Sequence, residues 1–222
     1  MSIDEAGARS PHHASRHIAQ EIRDLIVQRV AAGDEIRTLG ITGPPGTGKS
    51  TVSTLLAGFL QASGVEVAGA APMDGFHMSN AVLEELGLRD SKGAPETFDV
   101  WGYVSLLERI HRGAVLAPEY RRDLHEPIAA GIAIAAKGIV ITEGNYLGLD
   151  AHGWRQARAL IDILVYVDTP KDEVMRRLIT RHEAFGKDRA SAAHWVRTVD
   201  APNIDLVFAS AGRADYVVSA LT

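Results

Sequence analysis

The run Gly43-Pro44-Pro45-Gly46-Thr47-Gly48-Lys49-Ser50-Thr51 limits what this chain can be more than any other part of it. It satisfies G-x-x-x-x-G-K-[ST], the Walker A phosphate-loop pattern, at every fixed position. Each position has a physical reason. Glycines let successive backbone N–H groups turn inward as an anion nest, and the following helix presents its positive N-terminus. Lys49 then reaches the β- and γ-phosphates, and Ser50 offers a hydroxyl to magnesium. Chance would place these four fixed residues in about one random chain in a hundred of this length. The surroundings lower that figure, because an apolar strand, Thr38 to Thr42, precedes the loop and a helix, Lys49 to Ser63, follows it up to Gly64. Binding of nucleotide phosphates across Gly43 to Thr51 is the expectation.

The rest of the chain alternates in the same way. From Ser15 to Ala32 the residues Ile18, Ile22, Leu25, Ile26 and Val30 recur at helical spacing, and Gly33 ends the helix. Val65 to Ala71, Ile139 to Thr142 and Ile161 to Val167 are short apolar runs of the kind found in parallel strands covered on both faces. Leu83 to Leu88, Val104 to His111, Asp172 to Ala184 and Ala190 to Val199 read as helices. Val115 to Tyr120 and Ile128 to Ala135 read as extended, and Tyr216 to Ser219 as a last short strand. This alternation predicts a three-layer α/β/α domain on a parallel sheet, with residues 1–222 as one domain. Residues 1–14 are expected to form a tail, which makes His12 and His13 tail residues and not metal ligands. The three tryptophans, Trp101, Trp154 and Trp195, read as packing.

Bulk composition excludes several classes. A net charge of -5 leaves no overall basic field for a nucleic-acid backbone. With no cysteine, disulfides, thiolate nucleophiles and cysteine-ligated metals are all removed. The start, MSIDEAGARSPHH, has no apolar run, and the weakly polar stretch Pro127 to Ile141 is too short to span a bilayer. A cytoplasmic protein with a small-molecule partner, without nucleic acid or membrane, is expected, and a homodimer stays open.

A phosphate loop alone does not separate kinases from GTPase switches, transport ATPases and helicases. No N-K-x-D and no L-S-G-G-Q occurs. What does occur is Met73-Asp74-Gly75-Phe76-His77, then Tyr120 and Asp123, then Val140-Ile141-Thr142-Glu143-Gly144-Asn145-Tyr146-Leu147, then Arg177-Leu178 with Arg181 and Gly186, then Asp200-Ala201-Pro202-Asn203. In order and spacing this set resembles the phosphoribulokinase, uridine kinase and pantothenate kinase group, and its E-G-N-Y-L and D-x-P-N features resemble the bacterial fructose-transport-kinase-like branch. The resemblance covers Thr38 to Ser219. It implies a P-loop kinase that uses ATP and Mg2+ to phosphorylate a hydroxyl of a nucleoside, sugar or pantothenate-like compound. It also implies an acceptor-binding insertion over 75–128 and a helical lid over 177–189. A P-loop ATPase or switch acting on a partner protein, or a module that binds without transfer, is the alternative.

The residues support role assignments of different strength. Asp74 follows a buried strand, at the sheet end where open α/β folds hold ligands, and would take the acceptor proton or help hold magnesium through water. An ordinary Asp-Gly turn is its alternative. Glu143 ends another apolar strand, beside Ser50, and resembles a magnesium-orienting carboxylate; a turn or cap residue is the alternative. Arg177 and Arg181 share a helix face and would bring positive charge onto the phosphoryl group, unless Arg177 pairs with Glu173. His77, Tyr120, Arg121, Asp123, Glu143 and Tyr146 are the expected acceptor-pocket residues, with His125 nearby and Tyr146 as wall or packing. Asp200 and Asn203 match the family pattern without a physical role. Arg121 and Arg122 stand among Glu119, Asp123 and Glu126, so the local field roughly cancels and a neutral, polyol-like acceptor is expected.

Overall fold

A computed structural model describes residues 11–151 and 153–219. In chain order the strands are β1 (Thr38–Thr42), β2 (Val67–Ala70), β3 (Val115–Arg121), β4 (Glu126–Ile134), β5 (Ile139–Gly144), β6 (Ile163–Asp168) and β7 (Tyr216–Ser219). Five of them form the main sheet in the order β2-β5-β1-β6-β7, with every pairing parallel. The remaining two, β3 and β4, form a separate antiparallel hairpin. Only a short turn joins them, with no helix to cross over, so antiparallel pairing is the one outcome open to them.

The helices are α1 (Pro11–Ala31), α2 (Lys49–Ala62), α3 (Asn80–Glu85), α4 (Val100–Ile110), α5 (Trp154–Ala159), α6 (Lys171–Ala184), α7 (Arg189–Trp195) and α8 (Ala201–Ala209). α1 and α2 cover one face of the sheet, where Ile18, Ile22, Ile26, Val52 and Leu56 pack on Leu39, Ile141 and Val165. α4 and α5 cover the other, where Tyr103, Leu107 and Trp154 pack with Val140, Leu164 and Tyr166. A smaller cluster of Val174, Leu178, Val196 and Ile204 ties α6 to the segments after it. The three-layer α/β/α architecture follows from these two buried faces.

Several boundaries move. α1 begins at Pro11, not Ser15, with proline at the helix start where its missing N–H costs nothing. Residues 11–14 are therefore helical and not tail, while residues 1–10 lie outside the described residues. α3 starts early because the Ser79 side chain accepts a hydrogen bond from the Val82 N–H, and α4 because Asp99 accepts one from Gly102. The helix expected over Ala190 to Val199 is α7 followed by a π-turn, Val196–Asp200, and then α8, which has a proline in its first turn. Trp154 is core, whereas Trp101 and Trp195 are exposed. Among the described residues no helix is long and apolar enough to cross a membrane.

Candidate active site

β1 is buried along its whole length and lies between β5 and β6, so the loop after it emerges at the centre of the sheet. Gly48 closes that loop with φ 89°, a left-handed conformation that suits glycine, and α2 starts immediately after. The Pro44 carbonyl accepts hydrogen bonds from the Thr47 hydroxyl at 3.0 Å and from Lys49 Nζ at 2.9 Å. Lys49 is buried, and burial lowers its pKa to about 8 against the opposing pull of Glu143 and Asp74. Parallel pairing of β1 with β5 sets Ile41 opposite Glu143, so the Glu143 carboxylate reaches the start of α2. There Ser50 Oγ donates to Glu143 Oε1 at 2.8 Å. Burial pushes the Glu143 carboxyl up, with Asp74 adding to the rise and Lys49 and the Ser50 hydrogen bond opposing it.

Asp74 sits in a short 3-10 turn, Met73–Phe76, that follows β2. The turn is pressed against the hairpin: a methyl group on Gly75 would collide with the Pro118 carbonyl of β3, so only glycine fits. His77 Nδ1 lies 2.9 Å from the Asp74 carbonyl oxygen, and its ring packs on Phe98 and Tyr120 with centroids 4.1 Å and 4.8 Å away. Burial lowers the His77 pKa. Tyr146 is buried and its hydroxyl donates to the Gly93 carbonyl at 2.5 Å, so it is both wall and packing.

Two adjoining clefts of about 330 Å³ and 300 Å³ open here. The smaller is lined by Pro45, Gly46 and Gly48 to Thr51 of the P-loop and by Glu143; the larger by His77, Phe98, Tyr120 and Tyr146. Asp74, Arg122, Asn145 and Arg181 border both. Arg181 thus reaches the junction from α6, and its guanidinium lies over the Phe185 ring at 5.9 Å. Arg177 does not reach it: Nε donates to Glu173 at 2.6 Å and Nη1 to the Gly46 carbonyl at 3.3 Å, which fastens α6 to the P-loop. Asp200, left without a role by the sequence, accepts from or donates to His182 Nε2 at 2.9 Å at the edge of the larger cleft, where Asn203 also lies. Burial raises the Asp200 carboxyl and the His182 contact opposes that.

Three expected acceptor residues lie outside the larger cleft: Glu143 lines only the P-loop cleft, and the other two lie farther off. Arg121 and Asp123 pair with each other at 2.8 Å on the exposed hairpin tip, and neither lines a cleft. Within β3 side chains alternate, so Tyr120 faces the cleft and Arg121 faces out, while Arg122, the first residue of the turn after β3, borders both clefts. Sequence reasoning misses Lys92, His182 and Phe185 as lining residues. Lys92 sits in an irregular segment with no periodicity, so no local signal marks it; His182 follows Arg181 directly on the helix and is within reach of the pattern.

Ser50 and Glu143 offer two hard oxygen ligands at hydrogen-bond distance, and among the described residues no cluster of three or more metal-ligating side chains exists. That set fits magnesium, which commonly combines one or two protein oxygens with nucleotide phosphates and water.

Comparison with known proteins agrees with this geometry. Residues 38–220 match the model of the Phosphoribulokinase / Uridine kinase family. The chain belongs to that family. Like other phosphoribulokinase/uridine kinase members it is an ATP-dependent small-molecule kinase. It is 35% identical over 180 residues to uncharacterized protein YggC of Escherichia coli K12, covering 80% of this chain and 75% of that one. It is 27% identical to a pantothenate kinase of Enterococcus faecalis, covering 81% and 67%. A structure from Silicibacter sp. TM1040, named "putative fructose transport system kinase", superposes with a TM-score of 0.81 at 32% identity, covering 88% of this chain and 98% of that one.

Proposed function

We propose that this chain transfers the γ-phosphoryl group of ATP to a hydroxyl of a small polar metabolite held in the larger cleft, of the nucleoside, sugar or pantothenate-like classes. The observation that carries the reading is the position of Asp74 on the border of both clefts. A hydroxyl in the larger cleft can there lose its proton to Asp74 while its oxygen attacks phosphorus in the smaller one. The new O–P bond forms as the bridge to the β-phosphate breaks, and the proton ends on the carboxylate. Lys49 holds the β- and γ-phosphates, and Arg181 meets the charge that grows on the transferring group. Bound magnesium, held by Ser50 and Glu143, would supply charge neutralisation on the phosphates. Arg177 keeps the helix that carries Arg181 seated against the P-loop, and α6 to the start of α7 acts as the lid.

The test is ATP consumption with and without a panel of candidate acceptors, run on the natural chain and on Asp74→Asn. Turnover that needs an acceptor, and a kcat lowered about 10² to 10⁴-fold in D74N with ATP binding kept, is the expected result. Turnover independent of any acceptor would instead favour an ATPase acting on a partner protein, and an unchanged kcat in D74N would reduce Asp74 to a turn residue.

A further inference from the structure

The charges around the larger cleft are not balanced. Of its two carboxylates, Asp74 stands at the junction with the P-loop cleft, and Asp200 is matched by His182 at 2.9 Å. Two cations face the same space from the hairpin side, Arg122 and Lys92. Among the described residues neither forms an ion pair. Lys92 Nζ donates to Asn80 Oδ1 at 2.7 Å and to the His125 carbonyl at 2.9 Å, both neutral acceptors, and lies 5.7 Å from the Tyr120 ring centroid. The carboxylates that the sequence sets against this field are diverted. Asp123 is taken by Arg121, and Glu126 accepts from the Asn80 backbone N–H at 3.0 Å and does not line the cleft. Lys92 is thereby held in place by bonds that leave its charge unspent, save for the more distant Glu126.

We infer that the acceptor carries an anionic group, carboxylate or phosphate, bound by Lys92 and by Arg122, which reaches the larger cleft from the turn of the hairpin. This deepens the transfer reading above and rests on it. A charged hydrogen bond to guanidinium is stronger than a neutral one, and a fork of guanidinium donors matches two anionic oxygens at once. Lys92 lines only the larger cleft while Asp74 stands on its border with the P-loop cleft, so the hydroxyl lies towards Asp74 and the anion towards Lys92. Among the acceptor classes named above, it favours acids and phosphate esters over nucleosides and free sugars.

Kinetics on two matched sets test it: glycerol, glycerate and glycerol phosphate, and glucose, gluconate and glucose 6-phosphate, each with the natural chain, Arg122→Gln and Lys92→Gln. The expected result is a kcat/KM at least about tenfold higher for an anionic member than for its neutral counterpart, roughly 1.4 kcal/mol. That preference should collapse in R122Q and K92Q through the acceptor KM, with the KM for ATP unchanged in K92Q, since Lys92 lines only the larger cleft. The acid and the ester arms decide between carboxylate and phosphate. If the neutral members are phosphorylated as well as or better than the charged ones, the inference is wrong and the transfer reading stands. If R122Q slows neutral and anionic members alike, or raises the KM for ATP, Arg122 serves the nucleotide and the inference is again wrong. If no member of either set is phosphorylated while ATP turns over without an acceptor, the transfer reading fails and this inference falls with it.

Discussion

At the scale of single residues, Lys49 is the most informative group, because its burial couples protons to nucleotide. Its pKa of about 8 in the fold lies below the ordinary lysine value of 10.5. The unfolded chain therefore holds more protons than the native one between those two values, and this group adds stability to the ligand-free protein as pH rises through that window. Triphosphate reverses the balance by raising the Lys49 pKa, so binding above about pH 8 takes up a proton and affinity weakens as pH climbs. Isothermal titration of ATP at pH 8.5 in two buffers of different ionisation enthalpy should report net proton uptake, and Lys49→Met should remove it. Uptake that survives in K49M would assign the proton to another group. The Walker A pattern alone makes Lys49 legible, since the spacing of its glycines fixes where the ammonium must point. Arg121 and Arg122 show the opposite case: adjacent in sequence and alike in charge, they part where β3 ends, Arg121 pairing with Asp123 and Arg122 bordering the clefts from the turn.

At the scale of elements, α6 divides its labour along its length. Arg177 is bound to Glu173 and to the Gly46 carbonyl of the P-loop, whereas Arg181, one turn on, faces the clefts without an ion pair among the described residues. Arg181→Ala should accordingly lower kcat by about 10²-fold while the melting temperature stays within about a degree. Steady-state kinetics and a thermal melt on the same preparation check both, and a large melting shift would make Arg181 a structural residue. The elements nearest the chemistry are legible in the sequence because their signals are local: an apolar strand, a glycine loop and a helix within Thr38 to Ser63, or a carboxylate ending an apolar run at Glu143. The hairpin reads as two extended segments, but its separation from the main sheet does not show, since pairing partners are chosen by tertiary packing. Lys92, in an irregular stretch after α3, reaches the cleft through long-range folding alone and leaves no mark in the pattern.

At the scale of the whole molecule, the two apolar layers are unequal in origin. The nucleotide-side layer depends on α1, which precedes the segment matched to the kinase family and yet buries Ile18, Ile22 and Ile26 against α2 and the sheet. Ile22→Ala should therefore destabilise by about 2 to 5 kcal/mol, roughly 4 to 20 °C in melting temperature for a chain of this size, with kcat per folded molecule unchanged. A melt equal to that of the natural chain would mean that α1 is not docked in solution. The contact between Gly75 and Pro118 has a consequence for how such a molecule can be repurposed. The turn that carries Asp74 lies so close to β3 that a methyl group on Gly75 would meet the Pro118 carbonyl, so side chains of the hairpin can be exchanged while the carboxylate keeps its place. Retargeting the enzyme is thus a short walk through sequence space, a few substitutions in β3, β4 and the turn between them, and laboratory evolution confined to that segment should change what is phosphorylated long before it changes how.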